Sequence, residues 1–396
     1  MKNWKRGVCA GMAAVMCASV WSAFIYKPGT ALGASPEFAR SEEEWARLRD
    51  NVLEYDELED LIAEYNTTVQ TNQLDLNEFK RKYGDTKEDV SNKYREMAEE
   101  IYSSIDYPDA DDMMYGMVVN SVLMAEIQAK NMLEQADENL EDSEIIYLGY
   151  KQAEKTLVTV AQTNMINYEK NQLQLQQAEL AVLQAERGVT GAMTRQANGL
   201  ATQVEVLNAK ESLLTAQRNR ESALSSIETV RQKLLVMTGW KYDDQPEIRQ
   251  VPKSDMERIA RMNPYEDREA AMENNYALKI NRKKLANATN QNVIDSINKD
   301  VADNEQKIGS SLVTSYQNVL AAKLAYDQAA AELELERRNL RSLEINYQHG
   351  NASRTEVESQ RDVVKGKEIA IEIADLNLFQ IMETYDWAVN GLASVS

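Results

Sequence analysis

Histidine occurs once in this chain, at His349, directly before Gly350. A lone imidazole can move a proton, but acid–base or nucleophilic catalysis needs a second group in reach. No Ser, Cys or carboxylate accompanies it at the spacing of a catalytic triad. His349 therefore reads as a solvated turn residue. The only thiols, Cys9 and Cys17, lie in an N-terminal apolar run, which leaves the rest of the chain without a disulfide, a thiolate metal site or a cysteine nucleophile. Asp106, Asp109, Asp111 and Asp112 crowd around Pro108. Carboxylates at that density could hold calcium, but the spacing lacks the EF-hand pattern and its closing Glu. They read as an acidic turn capping the next helix. Met113, Met114, Met117 and Met124 read as core filler rather than a ligand set. Trp45, Trp240 and Trp387 sit near helix ends, as packing anchors. No Gly-rich phosphate loop is present. The expectation is a protein without a cofactor or metal, and not an enzyme. A net charge of −20 also repels nucleic acid and anionic lipid.

The chemistry that remains is recognition. Two stretches, "ANGLATQVEVLNAKESLL" (197–214) and "QHGNASRTEVESQRDVV" (348–364), follow one plan. Gly199 and Gly350 stand where a left-handed residue ends a helix. Thr202 and Ser353 stand where N-caps belong, with Glu205 and Glu356 three residues on, and each pair reads as a capping box. Both stretches are expected to be tips of antiparallel helical hairpins. Their candidate partner-binding residues are Asn198, Gly199, Leu200, Thr202, Glu205, His349, Gly350, Asn351, Ser353 and Glu356. The small polar side chains would let another protein's helical hairpin approach closely. The competing interpretation is that these are simply well-capped turns.

Such tips need long helices to carry them. After residue 34, proline occurs only at 36, 108, 246, 252 and 264, so two very long segments lack the strongest helix breaker. Heptads fill them. Leu312, Val319, Tyr326, Leu333, Leu340 and Tyr347 form one row, and Ser315, Ala322, Ala329, Glu336 and Leu343 its companion. Val206, Leu213, Ile227 and Leu234 do the same after the first tip, with Arg220 as the exception, beside Ala209, Ala216, Ala223, Val230 and Met237. Val357, Val364, Ile371, Leu378 and Tyr385 repeat it after the second. Sustained rows of this kind predict helices packed side by side. In 161–189 two offset rows occur, Tyr168, Leu175, Val182 and Val189 with Ile166, Leu173 and Leu180, as a helix with two neighbours requires.

Residues 1–34 read as a secretory signal, with Lys2, Lys5 and Arg6 ahead of the apolar run and small residues near Gly33. Cleavage there would leave a net charge of −24; an uncleaved anchor is the alternative. Residues 35–239 and 268–396 read as two helical repeats joined by a linker, 240–267, which holds three of the later prolines. "NVLEYDELEDLIAEYN" (51–66) is similar to "ENNYALKINRKKLAN" (273–287), and pairing Leu58 with Leu278 leaves some 70 extra residues in the first repeat. Among them, the apolar part of "DYPDADDMMYGMVVNSVLMAEI" (106–127) is too short to cross a membrane as a helix and reads as a buried core helix.

The paired tips "GLATQVEVLNAKESLL" and "YQHGNASRTEVESQRD", the proline-bearing linker and the two similar starts resemble the TolC family of outer-membrane efflux proteins. Gly199, Leu200, Thr202, Glu205 and Val206 match the family's tip turn, as do Gly350, Ser353, Glu356 and Val357. "VRQKLLVMTGW" (230–240) resembles the end of the family's first repeat. The resemblance implies an all-α protomer of long antiparallel coiled-coil hairpins in two structural repeats. It further implies a homotrimeric helical barrel whose tips meet a periplasmic adaptor serving an inner-membrane transporter, ABC or similar. One departure stands out: the second repeat has no room for the strands of a membrane β-barrel. The expected function is an exported, envelope-associated component of an efflux or secretion conduit. The alternative is a monomeric coiled-coil spacer or protein-binding module of the cell envelope.

Overall fold

Asn, Asp, Ser and Thr open nearly every helix, because their short side chains can accept from the orphan amides of a first turn. The computed structural model describes residues 40–107 and 115–395. The signal reading of 1–34 and the calls on Cys9, Cys17, Asp109, Asp111, Asp112, Met113 and Met114 lie outside them. The chain divides after Glu44. Of the first unit, Ser41 caps the start of α1 (Glu42–Leu48), its hydroxyl accepting from the Glu44 N–H at 3.2 Å.

In the second unit the chain enters through strand β1 (Val52–Leu53). The first repeat follows as α2 (Leu58–Tyr65), α3 (Thr67–Tyr83), α4 (Lys87–Ser103), α5 (Tyr115–Glu138), α6 (Ser143–Ala197) and α7 (Gln203–Met237). Then come strand β2 (Glu247–Ile248), α8 (Met256–Arg261), α9 (Asp267–Asn274), α10 (Tyr276–Asn287), α11 (Gln291–Gln348) and α12 (Arg354–Trp387). The fold is the expected all-α one, with two long hairpins, α6–α7 and α11–α12. At 55 residues, α6 is about 82 Å long. The segment read as a linker is more structured than expected. β2 pairs in parallel with β1, Val52 opposite Glu247 and Leu53 opposite Ile248, so the passage between repeats is tied to the segment that leads into α2.

The two repeats match most closely at a buried asparagine. Asn66 accepts from the Thr68 N–H at 3.0 Å and donates to the carbonyl of Met237, at the end of α7, at 2.9 Å. Asn275 accepts from the Leu278 N–H at 3.1 Å and donates to the carbonyl of Ala393, just beyond α12, at 3.1 Å. Each cap therefore also clamps the end of its returning helix. This equivalence replaces the pairing of Leu58 with Leu278. The extra residues of the first repeat form a helical hairpin, α4–α5, between α3 and α6. In the second repeat only residues 288–290 separate α10 from α11.

Helix α12 is the shared wall of the interior. Ile369, Leu376 and Phe379 face a cluster with Leu58, Ile62, Met165, Ile166, Leu173 and Leu234. Leu378, Met382 and Tyr385 face a second cluster with Leu278, Ile308, Leu312 and Val319. A helix apolar on two sides packs against neighbours on both, so α6 and α12 lie adjacent and the helices run in the order α7, α6, α12, α11. At the seam Arg258 pairs with Glu383 at 2.8 Å and also with Asp386, while the Tyr55 hydroxyl donates to Glu383 at 3.1 Å.

Candidate partner-binding site

Each tip is built by backbone rules that its own sequence satisfies. Gly199 has φ +72° and Gly350 φ +76°, a region open to glycine without the Cβ penalty other residues meet. The Gly199 N–H donates to Gln196 O at 2.9 Å and the Leu200 N–H to Arg195 O at 2.8 Å. The second tip repeats this with Gly350 to Tyr347 O at 3.0 Å and Asn351 to Asn346 O at 2.8 Å. These bonds form the Schellman arrangement, which satisfies carbonyls left over at a helix end.

Both expected capping boxes are present. The Glu205 N–H donates to the Thr202 hydroxyl and the Thr202 N–H to the Glu205 carboxylate, each at 3.3 Å. In the second tip the Glu356 N–H donates to the Ser353 hydroxyl at 3.2 Å, and the Ser353 N–H returns to Glu356 at 2.6 Å. Hydrogen bonds from the Ser353 backbone and hydroxyl hold the Glu356 carboxyl below its ordinary range. Val206 and Val357, seven residues beyond their glycines, are buried and seal the hairpins from inside.

All ten candidate residues are exposed. Asn198 spends its amide on the Thr194 carbonyl, 2.9 Å away. His349 is the C-cap of α11, its N–H donating to Ile345 O at 3.2 Å. The hairpins also meet each other near the tips: Arg187 on α6 pairs with Asp362 on α12 at 2.5 Å. Arg187 is ten residues from the end of α6, roughly 15 Å along the axis. The ten residues are thus presented at one end of a single helical layer.

Sequence reasoning missed the apolar neighbours of the tips. Beside Leu200, a candidate from the sequence that is 75% exposed, Val204 is 63% and Leu207 57% exposed, and Ile345 and Tyr347 are exposed at the second tip. Tyr347 continues the heptad row of α11 in sequence, yet the row has left the interface by then. Val204 and Leu207 fall between rows. Their signal was an apolar residue off the heptad and beside a turn.

The same off-row pattern extends along both edge helices. Leu320, Leu324, Leu335 and Ile345 are exposed on α11; at 3.6 residues per turn they fall within about a quarter turn of each other. Val204, Leu207, Leu214 and Val236 are exposed on α7 and share a similar arc. By contrast, the second stripe of α6 is consumed inside the chain. Ile166 and Leu173 pack with Ile369 and Leu376 of α12, and Leu180 lies 3.9 Å from where a Cβ on Gly366 would stand. That stripe therefore gives no reason to invoke another copy, whereas the outer faces of α7 and α11 do.

Other sequence calls resolve as follows. Trp387 donates to Gln162 at 2.8 Å, and Trp45 packs against the first cluster beneath the Arg49 guanidinium, 4.6 Å above its ring. Asp106 is exposed, and among the described residues no group of three or more His, Cys, Asp or Glu is placed to hold a metal ion. Met117 and Met124, read as core filler, are exposed instead, 68% and 62%. The helix that carries them, α5, turns the more covered Val118, Val122, Ala125 and Ala129 toward α4 and leaves Met117 and Met124 outside, so the described part of the expected buried core helix, 116–127, is largely exposed.

No family model matches the sequence, and no curated protein matches it either. Among solved structures the chain is similar to the outer-membrane channel OprN, at 10% identity over 88% of this chain and 92% of that one, with a TM-score of 0.51. It is also similar to a membrane protein from Pseudomonas aeruginosa, at 11% identity over 85% of this chain and 93% of the other, with a TM-score of 0.50. Likeness at these identities concerns the course of the chain.

Proposed function

From its TolC-like helical fold, we propose that the chain is an exported, envelope-associated component of an efflux or secretion conduit. Three copies close into an α-helical tube. The tips around Gly199 and Gly350 dock an adaptor of the membrane-fusion type, which serves an inner-membrane transporter of the ABC or a similar class. The assembly conducts rather than catalyses. Residues 1–34 direct export, the repeats span 35–239 and 268–396, and 240–267 joins them. An outer-membrane setting is inherited from the neighbours, one of which is an outer-membrane channel. Among the described residues no helix is long and apolar enough to cross a membrane.

One observation carries this function. Both edge helices, α7 and α11, leave an interrupted apolar stripe uncovered on the side away from their hairpin partner, broken on α7 by the polar residues between Leu214 and Val236 and on α11 by Asp327 and Arg338. Burying a leucine side chain is worth roughly 1.5–3 kcal/mol, so two such stripes on opposite edges favour edge-to-edge closure of copies. A head-to-tail contact of this kind forms a ring when the rotation closes.

Sedimentation of the chain over a wide concentration range tests the tube. A trimer is expected, and Leu324→Lys with Leu335→Lys should return it to a monomer with an unchanged helical spectrum. A strictly monomeric parent chain would instead favour the envelope spacer. For the tips, photo-crosslinkers at positions 198 and 351 should capture a periplasmic adaptor, and capture of nothing would remove the docking role.

A further inference from the structure

Helix α5 carries two heptad rows. The inner one, Val118, Val122, Ala125, Ala129, Met132 and Ala136, packs on α4. The outer one is Met117, Asn120, Met124, Ile127 and Asn131, at alternating steps of three and four, and all five are exposed. No Asp, Glu, Lys or Arg occurs from 113 to 125. A helix face meant for water is polar; an apolar three-four seam is what one helix presents to another.

We propose that this seam joins copies of the chain: the α5 helices of three copies run parallel, and Met117, Asn120, Met124, Ile127 and Asn131 form successive layers of a three-stranded bundle. The bundle rests on the three-copy tube proposed above. Self-association follows from the layers themselves. In parallel register, Asn120 meets Asn120 and Asn131 meets Asn131. An amide both donates and accepts, so each polar layer is satisfied by its own kind. A buried Asn at a seam position also fixes register. An antiparallel pairing that kept the asparagines together would set Met117 against Glu134. An unrelated helix would have to supply amides at the same spacing.

The base of the hairpin is held firmly enough to aim it. The Ser143 hydroxyl donates to Asp85 O at 3.0 Å, the Lys87 ammonium to Asn287 O at 2.6 Å, and the Asn139 amide to Glu141 O at 3.0 Å. This base sits at the N-terminal end of α6, remote from the tips. The bundle therefore gathers the three chains at the end of the tube opposite the docking site. A lipid occupant is disfavoured by length: the charge-free part of α5, residues 115–125, spans about 16 Å, against a hydrocarbon core of about 30 Å.

The test uses the full chain with Cys9→Ser and Cys17→Ser, so that introduced thiols stand alone. Met117→Cys and, separately, Met124→Cys should each give a disulfide-linked pair within a trimer of native mass on mild oxidation. Glu96→Cys, on the exposed side of α4, should not. A trimer in which neither seam variant cross-links overturns the bundle and leaves the tube standing. A cross-link that forms only when Met117→Cys is mixed with Glu134→Cys overturns the parallel arrangement. A parent chain that never associates removes tube and bundle together. As a second measure, Asn120→Asp with Asn131→Asp should weaken trimer association at least tenfold at neutral pH, and unchanged association would refute the seam.

Discussion

The two long hairpins end in the same tip but are stitched differently. Across α11 and α12, Lys367 pairs with Glu332 at 2.7 Å, Arg337 with Glu368 at 2.9 Å and Arg361 with Glu344 at 2.7 Å, and Gln360 donates to Glu336 at 2.6 Å. Among the described residues, the ion pair across α6 and α7 is Arg220 with Glu179, at 3.8 Å. The last turns of α6 also contain Gly188 and Gly191, where an added Cβ would meet nothing within 4 Å. Nothing inside the chain requires those glycines, and each weakens a helix interior by about 1 kcal/mol relative to alanine. Tip geometry and hairpin stiffness are therefore set by separate residues. The first hairpin is expected to be the looser of the two, although α11 and α12 also carry interior glycines, Gly309 and Gly366, and α12 is shared by both clusters.

The largest expected effect asks whether this asymmetry reaches the bases of the repeats. Asn66→Ala and Asn275→Ala each remove a cap and leave a carbonyl, half-buried at Met237 and buried at Ala393, without its donor. Each should cost roughly 2–3 kcal/mol, read as a loss in urea midpoint. Equal losses confine the difference to the hairpins; a much smaller loss at Asn66 would extend it to the whole first repeat. Next in size, Gly188→Ala with Gly191→Ala should stabilise the end of α6 by about 2 kcal/mol. Amide exchange over 185–210 should then slow by roughly thirtyfold at most and approach that of 336–361. No change would show that the looseness lies in the missing ion pairs alone.

The caps come third. Thr202→Ala and Ser353→Ala should each cost ~1 kcal/mol of local helix stability, with the greater loss at Ser353, where the box is shorter. The Glu356 carboxyl is held low in the folded tip, so its contribution is present above the ordinary carboxylate pKa and fades as pH falls through the folded value. Relative to the intrinsic rate at each pH, exchange at 350–358 should quicken as pH falls below the ordinary carboxylate pKa in the parent chain and not in Glu356→Gln. The same acceleration in both would sink this assignment.

The tips were legible in the sequence because everything that makes them is local: a glycine, a cap and a carboxylate within seven residues. The heptad rows were legible because period survives without knowing the partner. What failed was partner identity. Asn66 and Met237 lie 171 residues apart, and nothing in either segment announces the bond. The second stripe of α6 was visible, but only packing shows that α12 of the same chain occupies it. The methionines of α5 show the limit most clearly, since composition cannot tell a buried face from an uncovered one.

The smallest effect is salt, and it separates the hairpins most cleanly. The ladder across α11 and α12 is built from side chains that are partly or largely exposed, so its attraction is screened once the Debye length shrinks from about 10 Å at 0.1 M to about 3 Å at 1 M. Hydrogen bonds give Glu332 and Glu336 carboxyls that sit below their ordinary range, which keeps them charged throughout the neutral region. Raising salt at pH 7 should therefore speed amide exchange in 332–368 by a few-fold at most, exposed pairs being weak individually. The segment 179–220, tied across its own hairpin by one long pair and to α12 through Arg187, should respond less. If both segments respond alike, the ladder is not what stiffens the second hairpin. The difference would then belong to the two glycines of α6, where Gly188→Ala alone should reproduce about half of it.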